Sequence, residues 1–562
     1  MSDYEYLDLL EKRHKKLDKK QRDVCIRTDN TIVAAGAGSG KTQVLATRFA
    51  WLVMSQNIRA PQILTLTFTK KAAGEMYERI YQTLDFFANE EGTPALEKKR
   101  AALTLEEFSD THIQTLDSYC NSIVKQAANR YGIRPDFSAG GSDSLEDIKK
   151  LALPYVLENK DRPCIQQYAQ AGRLEDFAYS VLAEAVNKYT TLADEPDFFV
   201  SKLEAQKELL LQSWNQLVCS IQVSELQQLY KEAEFVSPGN KFLLSCQQAL
   251  DFLTQLDTNE INSLDDLKDK LEKIIKGLKL IKKISFPGGK QKEEVVNLKE
   301  AIKPIRDTFA PTFISLCAYI QQLDETADLY KMFDDFSAIV NDSKRQTGNL
   351  TFADISELAL KILNEQEDLR TQEQNAYAKI MIDEFQDNNA KNKELLFLLN
   401  QVPALRQAQG PQFGQKLFFV GDEKQSIYKF RGADVSVFNK LKTELGDNCL
   451  MQMNYNYRSN NNLLTTFNRI FGENNFIFDN QTEELYEAKY SVPAIKFDPA
   501  AQKELPPASL TDVQNRFLSI SRLDPDVLDP SIHFGVKDQL AISIARKILE
   551  FKKNKEDQKR NY

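Results

Sequence analysis

The sequence predicts an α/β protein built on a parallel sheet and interrupted by a long helical stretch. Three observations carry this reading. Short, continuous apolar runs recur: TIVAA at Thr31–Ala35, ILTLTF at Ile63–Phe68, IMID at Ile380–Asp383 and LFFVGD at Leu417–Asp422. Runs without polar alternation suit strands buried on both faces, as in a parallel sheet covered by helices. The first run passes straight into a glycine-rich turn, AGAGSGKT (Ala35–Thr42), and then a helical pattern. Between Gly132 and Gly348 the strand pattern disappears and helical periodicity takes over.

The elements follow in order. The segment up to about Lys20 reads as helical, and KKAAGEMYERIYQTL after the second strand reads as a helix. In the helical middle, Leu264, Leu267, Leu271, Ile274, Leu278 and Ile281 form one apolar seam. Lys268, Lys270, Lys273, Lys276, Lys279, Lys282 and Lys283 occupy the other positions, either as a solvated face or as a phosphate-contacting one. FPGG at Phe286–Gly289 ends that helix. QAQGPQFGQ, Gln407–Gln415, reads as a loop before the fourth apolar strand.

Composition narrows the class. At 562 residues the chain is long enough for several domains. With 42% hydrophobic and 27% charged residues it is neither collagen-like nor wholly disordered. No apolar run approaches the ~18–20 residues of a membrane span. The N-terminal MSDYEYLDLLEKRHKK has no apolar signal core, so a cytoplasmic location is expected. The seven cysteines, Cys25, Cys120, Cys164, Cys219, Cys246, Cys317 and Cys449, include no C-x-x-C pair, and His14, His112 and His533 are isolated. A disulfide framework or a zinc site is poorly supported. A net charge of −9 argues against a simple basic coat protein but leaves room for a local basic groove.

Two motifs carry chemistry. In Ala35–Thr42, the small residues Ala35, Gly36, Ala37, Gly38, Ser39 and Gly40 let backbone N–H groups face phosphates. Lys41 supplies a point charge for the β- and γ-phosphates of ATP, and the Thr42 hydroxyl can hold Mg²⁺. In IDEFQD, Ile382–Asp387, Asp383 at a strand end can hold the Mg²⁺ shell and Glu384 can polarise an attacking water.

With these in place, DEFQD resembles the Walker B motif of UvrD/Rep-type superfamily 1 helicases, and further family-like segments follow in order. Gln21 in LDKKQRDVC resembles the Q motif, which implies adenine recognition. TLTFTKKAAGEMYERI (Thr65–Ile80) resembles motif Ia, with Lys70 where the family has Asn, and implies strand contacts by Phe68 and Thr69. TLDSYC (Thr115–Cys120) resembles motif Ib, with Asp117 in place of His, and implies contacts by Ser118 and Tyr119. VGDEKQSIYKFRGAD (Val420–Asp434) resembles motif III. There Gln425 would sense the γ-phosphate, Tyr428 and Phe430 would stack on bases, and Arg431 would couple the two. Out of context those aromatics would read as core residues. NYRS (Asn456–Ser459) resembles motif IV, which implies that Tyr457 stacks on adenine and Arg458 reaches the γ-phosphate.

The resemblance implies a RecA-like P-loop NTPase sheet with a large helical insertion and a partial second RecA-like domain. The expected boundaries are residues 1–125 and 347–441 for the first domain, 132–346 for the insertion and 448–562 for the second. The 266 residues from Asp117 to Asp383 make an insertion that looks like the RecB/AddA branch, and LTFADI (Leu350–Ile355) resembles that branch's lead-in to Walker B. Segments of the types T-x-H-x-x-K-G-L and Y-V-A-x-T-R, the family's last two motifs, are not found in Asn460–Tyr562, nor is the nuclease strand of that branch. The chain therefore resembles the N-terminal, ATP-binding portion of a longer helicase. The implied activity is ATP-driven 3′→5′ translocation on single-stranded or 3′-tailed DNA in repair and recombination. The implied partner is an AddB-like nuclease/helicase protein or a separate C-terminal part. The alternative is a hydrolysis-deficient module that binds ATP and DNA but needs that other part. A generic phosphate-loop kinase would not carry Gln21, the Gln425–Arg431 segment or Arg458.

Overall fold

A computed structural model describes residues 3–11, 17–140, 144–258, 261, 263–401, 414–429, 432–471, 495–498 and 503–507. The chain divides into two compact units, Met1–Thr115 with Thr371–Tyr562, and Leu116–Arg370.

Eleven strands are described: β1 (Thr31–Ala35), β2 (Ile63–Thr67), β3 (His112–Thr115), β4 (Ser138–Ala139), β5 (Asn349–Leu350), β6 (Lys379–Ile382), β7 (Leu417–Gly421), β8 (Leu450–Met453), β9 (Tyr455–Asn456), β10 (Ile495–Asp498) and β11 (Lys503–Glu504). The first unit is organised by a six-stranded sheet of order β3-β2-β6-β7-β1-β8, with all neighbours parallel. Every residue of β2 and β7 is buried, which accounts for their unbroken apolar sequence. The helix Lys41–Met54 packs Phe49, Trp51, Leu52 and Met54 into one core with Val33, Met381, Phe418 and Val420. Because all six strands run the same way, the C-terminal ends of β1, β2, β6 and β7 lie along one edge of the sheet. That edge is where open α/β sheets place their ligands.

The strand Leu450–Met453 corrects the expected start of a second α/β domain at residue 448. It pairs with β1 in register Ile32↔Leu450 through Ala35↔Met453, and is the sixth strand of the main sheet. Beyond it are the small sheet β11-β10-β9 and the helix Asn461–Phe471. The helix read near residues 540–562, and most of the loop 407–415, lie outside the described residues.

The second unit is helical apart from the short parallel pair β4–β5. It reaches further at both ends than the insertion read from sequence, because the helices Leu116–Ala127 and Phe352–Glu365 pack on one another. The predicted seam is the helix Leu264–Lys282, capped by the Ser263 side chain, with Leu267, Leu271, Ile274, Leu278 and Ile281 buried. Lys268 and Lys270 pair with Asp324 and Asp266, and the later lysines are exposed. Asp354, fully buried, accepts Lys344 Nζ at 2.9 Å, Leu192 N at 3.0 Å and both the N–H and hydroxyl of Thr351. Four donors on one carboxylate offset its desolvation and tie three segments together. Among the described residues, no helix is long and apolar enough to cross a membrane.

Candidate functional site

The glycine-rich turn joins β1 to the helix Lys41–Met54. Ala35 is the last residue of β1, and Gly40 caps the helix. Gly38 and Gly40 have φ of 73° and 86°, left-handed values that suit glycine. Space demands it too. A Cβ on Gly38 would meet Arg458 Cβ at 2.9 Å, and one on Gly40 would meet Gln21 Nε2 at 2.9 Å. The N–H groups of Ala37, Gly38, Gly40, Lys41 and Thr42 donate to no described residue, and the buried Ser39 hydroxyl has no described partner. Unpaired donors at a helix N-terminus, with the dipole behind them, fit an anion such as a phosphate chain.

The acidic side comes from β6. Asp383 follows its last residue, is 6% exposed, and donates its N–H to Leu66 O at 2.9 Å. Glu384 has φ 52° in the left-handed region, an unfavourable place for a residue with a Cβ. That turn brings its Oε2 to 2.6 Å from Lys41 Nζ. Burial, helped by the Glu384 charge, pushes the Asp383 carboxyl up to about 6 and Asp387 up to about 7. A divalent cation would remove this penalty, so the donor set fits one. No group of three or more His, Cys, Asp or Glu among the described residues could hold a metal unaided. That agrees with a Mg²⁺ taken by one or two protein oxygens, here Thr42 and Asp383, together with substrate phosphates.

Past β7, Asp422 accepts Gln425 Nε2 at 2.8 Å and the Lys424 N–H at 3.2 Å. The expected γ-phosphate sensor is thus held by an aspartate three residues before it. Phe68, after β2, and Tyr428 meet with ring centroids 4.8 Å apart and planes tilted by 40°. Both are half-buried, so neither is a core ring. Thr69 is exposed and caps the helix Lys70–Asn89 through Ala72 N. Phe430 and Arg431 lie outside the described residues. Ser118 and Tyr119 belong to the second unit, on the helix Leu116–Ala127. The Tyr119 assignment is corrected: its ring is 1% exposed, on the apolar stripe Leu116, Tyr119, Cys120, Ile123, Val124, and cannot stack on a base as it stands.

The motif-IV segment meets the turn directly. Tyr457 N donates to Gly38 O at 2.9 Å, Asn456 Nδ2 donates to Ala37 O at 2.6 Å, and Gly36 N donates to Met453 O at 3.2 Å. Arg458 is exposed. Gln21 does not leave its amide free: Nε2 donates to Ser39 O at 2.8 Å, and Oε1 accepts Asp18 N at 3.1 Å. Asp18 also accepts the Tyr457 hydroxyl, so it joins the two segments expected to hold adenine. That bond and burial push the Tyr457 phenol far above its usual range, burial being the larger cause.

Four residues here escaped the sequence reading: Asp18, Asn456, Asp422 and Gln386. The signal for Asp18 was present, since D-x-x-Q before a helix is a capping-box pattern, and that box is formed.

Residues 17–446 match the model of the UvrD/REP helicase N-terminal domain. The chain is similar to bacterial proteins named as one subunit, AddA, of an ATP-dependent helicase/nuclease. The one from Streptococcus suis (strain 98HAH33) is 27% identical over 526 residues, covering 86% of this chain and 41% of the relative. That from Syntrophomonas wolfei is 28% identical over 491 residues, 81% and 37% respectively. That from Lachnoclostridium phytofermentans is 27% identical over 510 residues, 80% and 35%. The chain thus spans about two fifths of the length of these relatives.

Proposed function

Because the chain belongs to the UvrD/REP helicase family, we propose that it binds Mg·ATP at the C-terminal edge of its sheet and couples that site to a single strand of DNA. The observation that carries the reading is the meeting of Lys41 and Glu384 at 2.6 Å beside buried Asp383, with the unpaired turn N–H groups behind them. The turn amides and Lys41 take the phosphates, and Thr42 and Asp383 hold Mg²⁺. The ion would neutralise charge on the bridging phosphate oxygens. Lys41 leaves Glu384 for the phosphates, which frees that carboxylate to orient and deprotonate water. Tyr457 supplies a ring for adenine, oriented by Asp18, and Arg458 a second cation. Gln21 braces the phosphate turn through Ser39 O, and Gln425 senses the γ-phosphate. Phe68 and Tyr428, with Phe430 and Arg431, grip the strand, and Thr69 and Ser118 add polar contacts.

The whole-protein activity proposed is that of a 3′→5′ DNA helicase of repair and recombination in the cytoplasm, acting with an AddB-like partner or a further C-terminal part. RecA-like domain boundaries at 1–125 and 347–441 remain our proposal for the motor core, with β8 added to it.

The reading is tested by titrating oligo-dT against the chain with and without a non-hydrolysable Mg·ATP analogue. Tyr428→Ala is expected to weaken oligo-dT binding by about 1–3 kcal/mol, as loss of one stacking ring does, and added salt should weaken it in all variants. No measurable strand binding, or binding indifferent to both Tyr428→Ala and Phe68→Ala, would sink the strand assignment. Gly40→Ala is expected to weaken the ATP analogue by at least tenfold. The left-handed position alone costs an alanine ~1–2 kcal/mol, and its Cβ meets Gln21 Nε2. An unchanged affinity would refute that packing.

A further inference from the structure

We propose that Gln386 is a positioning residue that transmits the state of Glu384 to the segment Asp422–Tyr428; the proposal rests on the nucleotide site described above. Gln386 is 1% exposed and bonded at both ends of its amide. Its Nε2 donates to Glu384 Oε2 at 2.9 Å, and its Oε1 accepts Asp422 N at 2.9 Å. Its main-chain carbonyl accepts the Ser426 hydroxyl at 3.1 Å. One side chain therefore spans from the carboxylate expected to work on water to the strand end that carries the phosphate sensor.

The chemistry of the amide makes the link directional. Only the nitrogen end can serve a carboxylate and only the oxygen end can serve an N–H, so the side chain cannot flip without losing both bonds. Glu384 Oε2 is shared by Lys41 Nζ and Gln386 Nε2. When Lys41 turns to a phosphate, Gln386 is the donor that remains on that oxygen, and any movement of the carboxylate is felt by the amide. At the other end there is no slack. A Cβ on Gly421 would stand 2.8 Å from Gln386 Oε1 and 3.3 Å from its N, so the β7 backbone lies against the amide. Close-packed groups of this kind move together. From Asp422 the path continues to Gln425, whose amide is on Asp422 Oδ2, and three residues on to Tyr428, which packs on Phe68.

A purely structural brace would leave the nucleotide and strand sites uncoupled when weakened only in stability. A transmitting residue makes a different prediction, because coupling between two ligands is reciprocal and measurable without turnover. The full 562-residue chain is titrated with oligo-dT with and without the Mg·ATP analogue, and with the analogue with and without oligo-dT. The unsubstituted chain should show the same coupling factor both ways, about 5–150-fold. Gln386→Met, neutral and of similar length, should bring that factor to within about twofold of unity while each ligand alone binds within about threefold of the parent. Gln386→Glu keeps the acceptor for Asp422 N but loses the donor to Glu384, and should uncouple as well. Hydrogen exchange across residues 422–428 should respond to the analogue in the parent and not in either variant, and thermal melts identify any variant that fails to fold. A folded variant that binds both ligands with the parental coupling factor overturns the proposal, as does a parent chain that binds both with no coupling. A parent chain that binds no nucleotide overturns the functional reading first, and this inference with it.

Discussion

Lys41→Ala is expected to weaken Mg·ATP binding by on the order of a hundredfold or more. Lys41 opens the helix that follows the glycine turn, and its Nζ lies at 2.6 Å from Glu384 with only 10% of the side chain exposed. Charge-assisted hydrogen bonds contribute ~1.5–3 kcal/mol each, and one ammonium serving two phosphate groups makes about two of them. Truncation also removes the one cation that offsets an acidic cluster. Glu384 already raises Asp383 and Asp387, and Lys41 is the opposing influence in both cases. Without it the site presents three carboxyl groups to an anionic ligand. Lys41→Arg is not a conservative control, because a planar fork replaces a compact point charge in a turn packed at 2.9 Å clearances. The measurement is an equilibrium titration with a fluorescent ATP analogue in Mg²⁺, alongside a thermal melt. Unchanged affinity in a folded variant would refute the phosphate assignment of Ala35–Thr42.

How much of this was legible in the sequence depended on where each element sits. The four strands read from apolar runs became β1, β2, β6 and β7, the interior of the sheet. The two that were missed as members of that sheet, HIQT at β3 and LMQM at β8, are its edges. An edge strand has one neighbour and is only partly buried, so it carries polar residues and shows no apolar run. Lys41, Thr42, Asp383 and Glu384 were legible because phosphate and metal chemistry fixes the residue type. Asp18, Asn456, Asp422 and Gln386 were not, because their work is to bond one segment to another, and nothing local records it. The partners Asp18 and Tyr457 are 439 residues apart. Tyr119 shows the opposite failure: a motif assigned it to a ligand, while its place on an apolar helical stripe assigned it to a core. Gln21 is intermediate, since the expected residue is at the site but its amide is spent on Ser39 and Asp18.

On a 3′-tailed duplex, these 562 residues by themselves are expected to bind strand and nucleotide yet separate no strands. Charge developing on a γ-phosphate must be met from more than one side. Lys41 and the turn N–H groups meet it from the main sheet. Arg458 is the one further cation the motif reading supplies, and its Cβ stands 2.9 Å from where a Cβ on Gly38 would be, so its backbone lies against the turn. The segment types that resemble the family's strand-coupling motif and its arginine finger do not occur in Asn460–Tyr562. A finger of that kind is worth ~10³–10⁵ in rate, or about 4–7 kcal/mol of barrier. The named relatives are more than twice as long as the stretch matched here. The expected result is therefore weak or absent strand-stimulated hydrolysis and no unwinding, with both rising when a separately produced C-terminal part or an AddB-like partner is added. The assay is strand displacement from a labelled 3′-tailed duplex with ATP and Mg²⁺, run beside a phosphate-release measurement. Robust unwinding by the chain alone would mean that Lys41 and Arg458 suffice for the transition-state charge, and the two-sided account of hydrolysis would have to be abandoned.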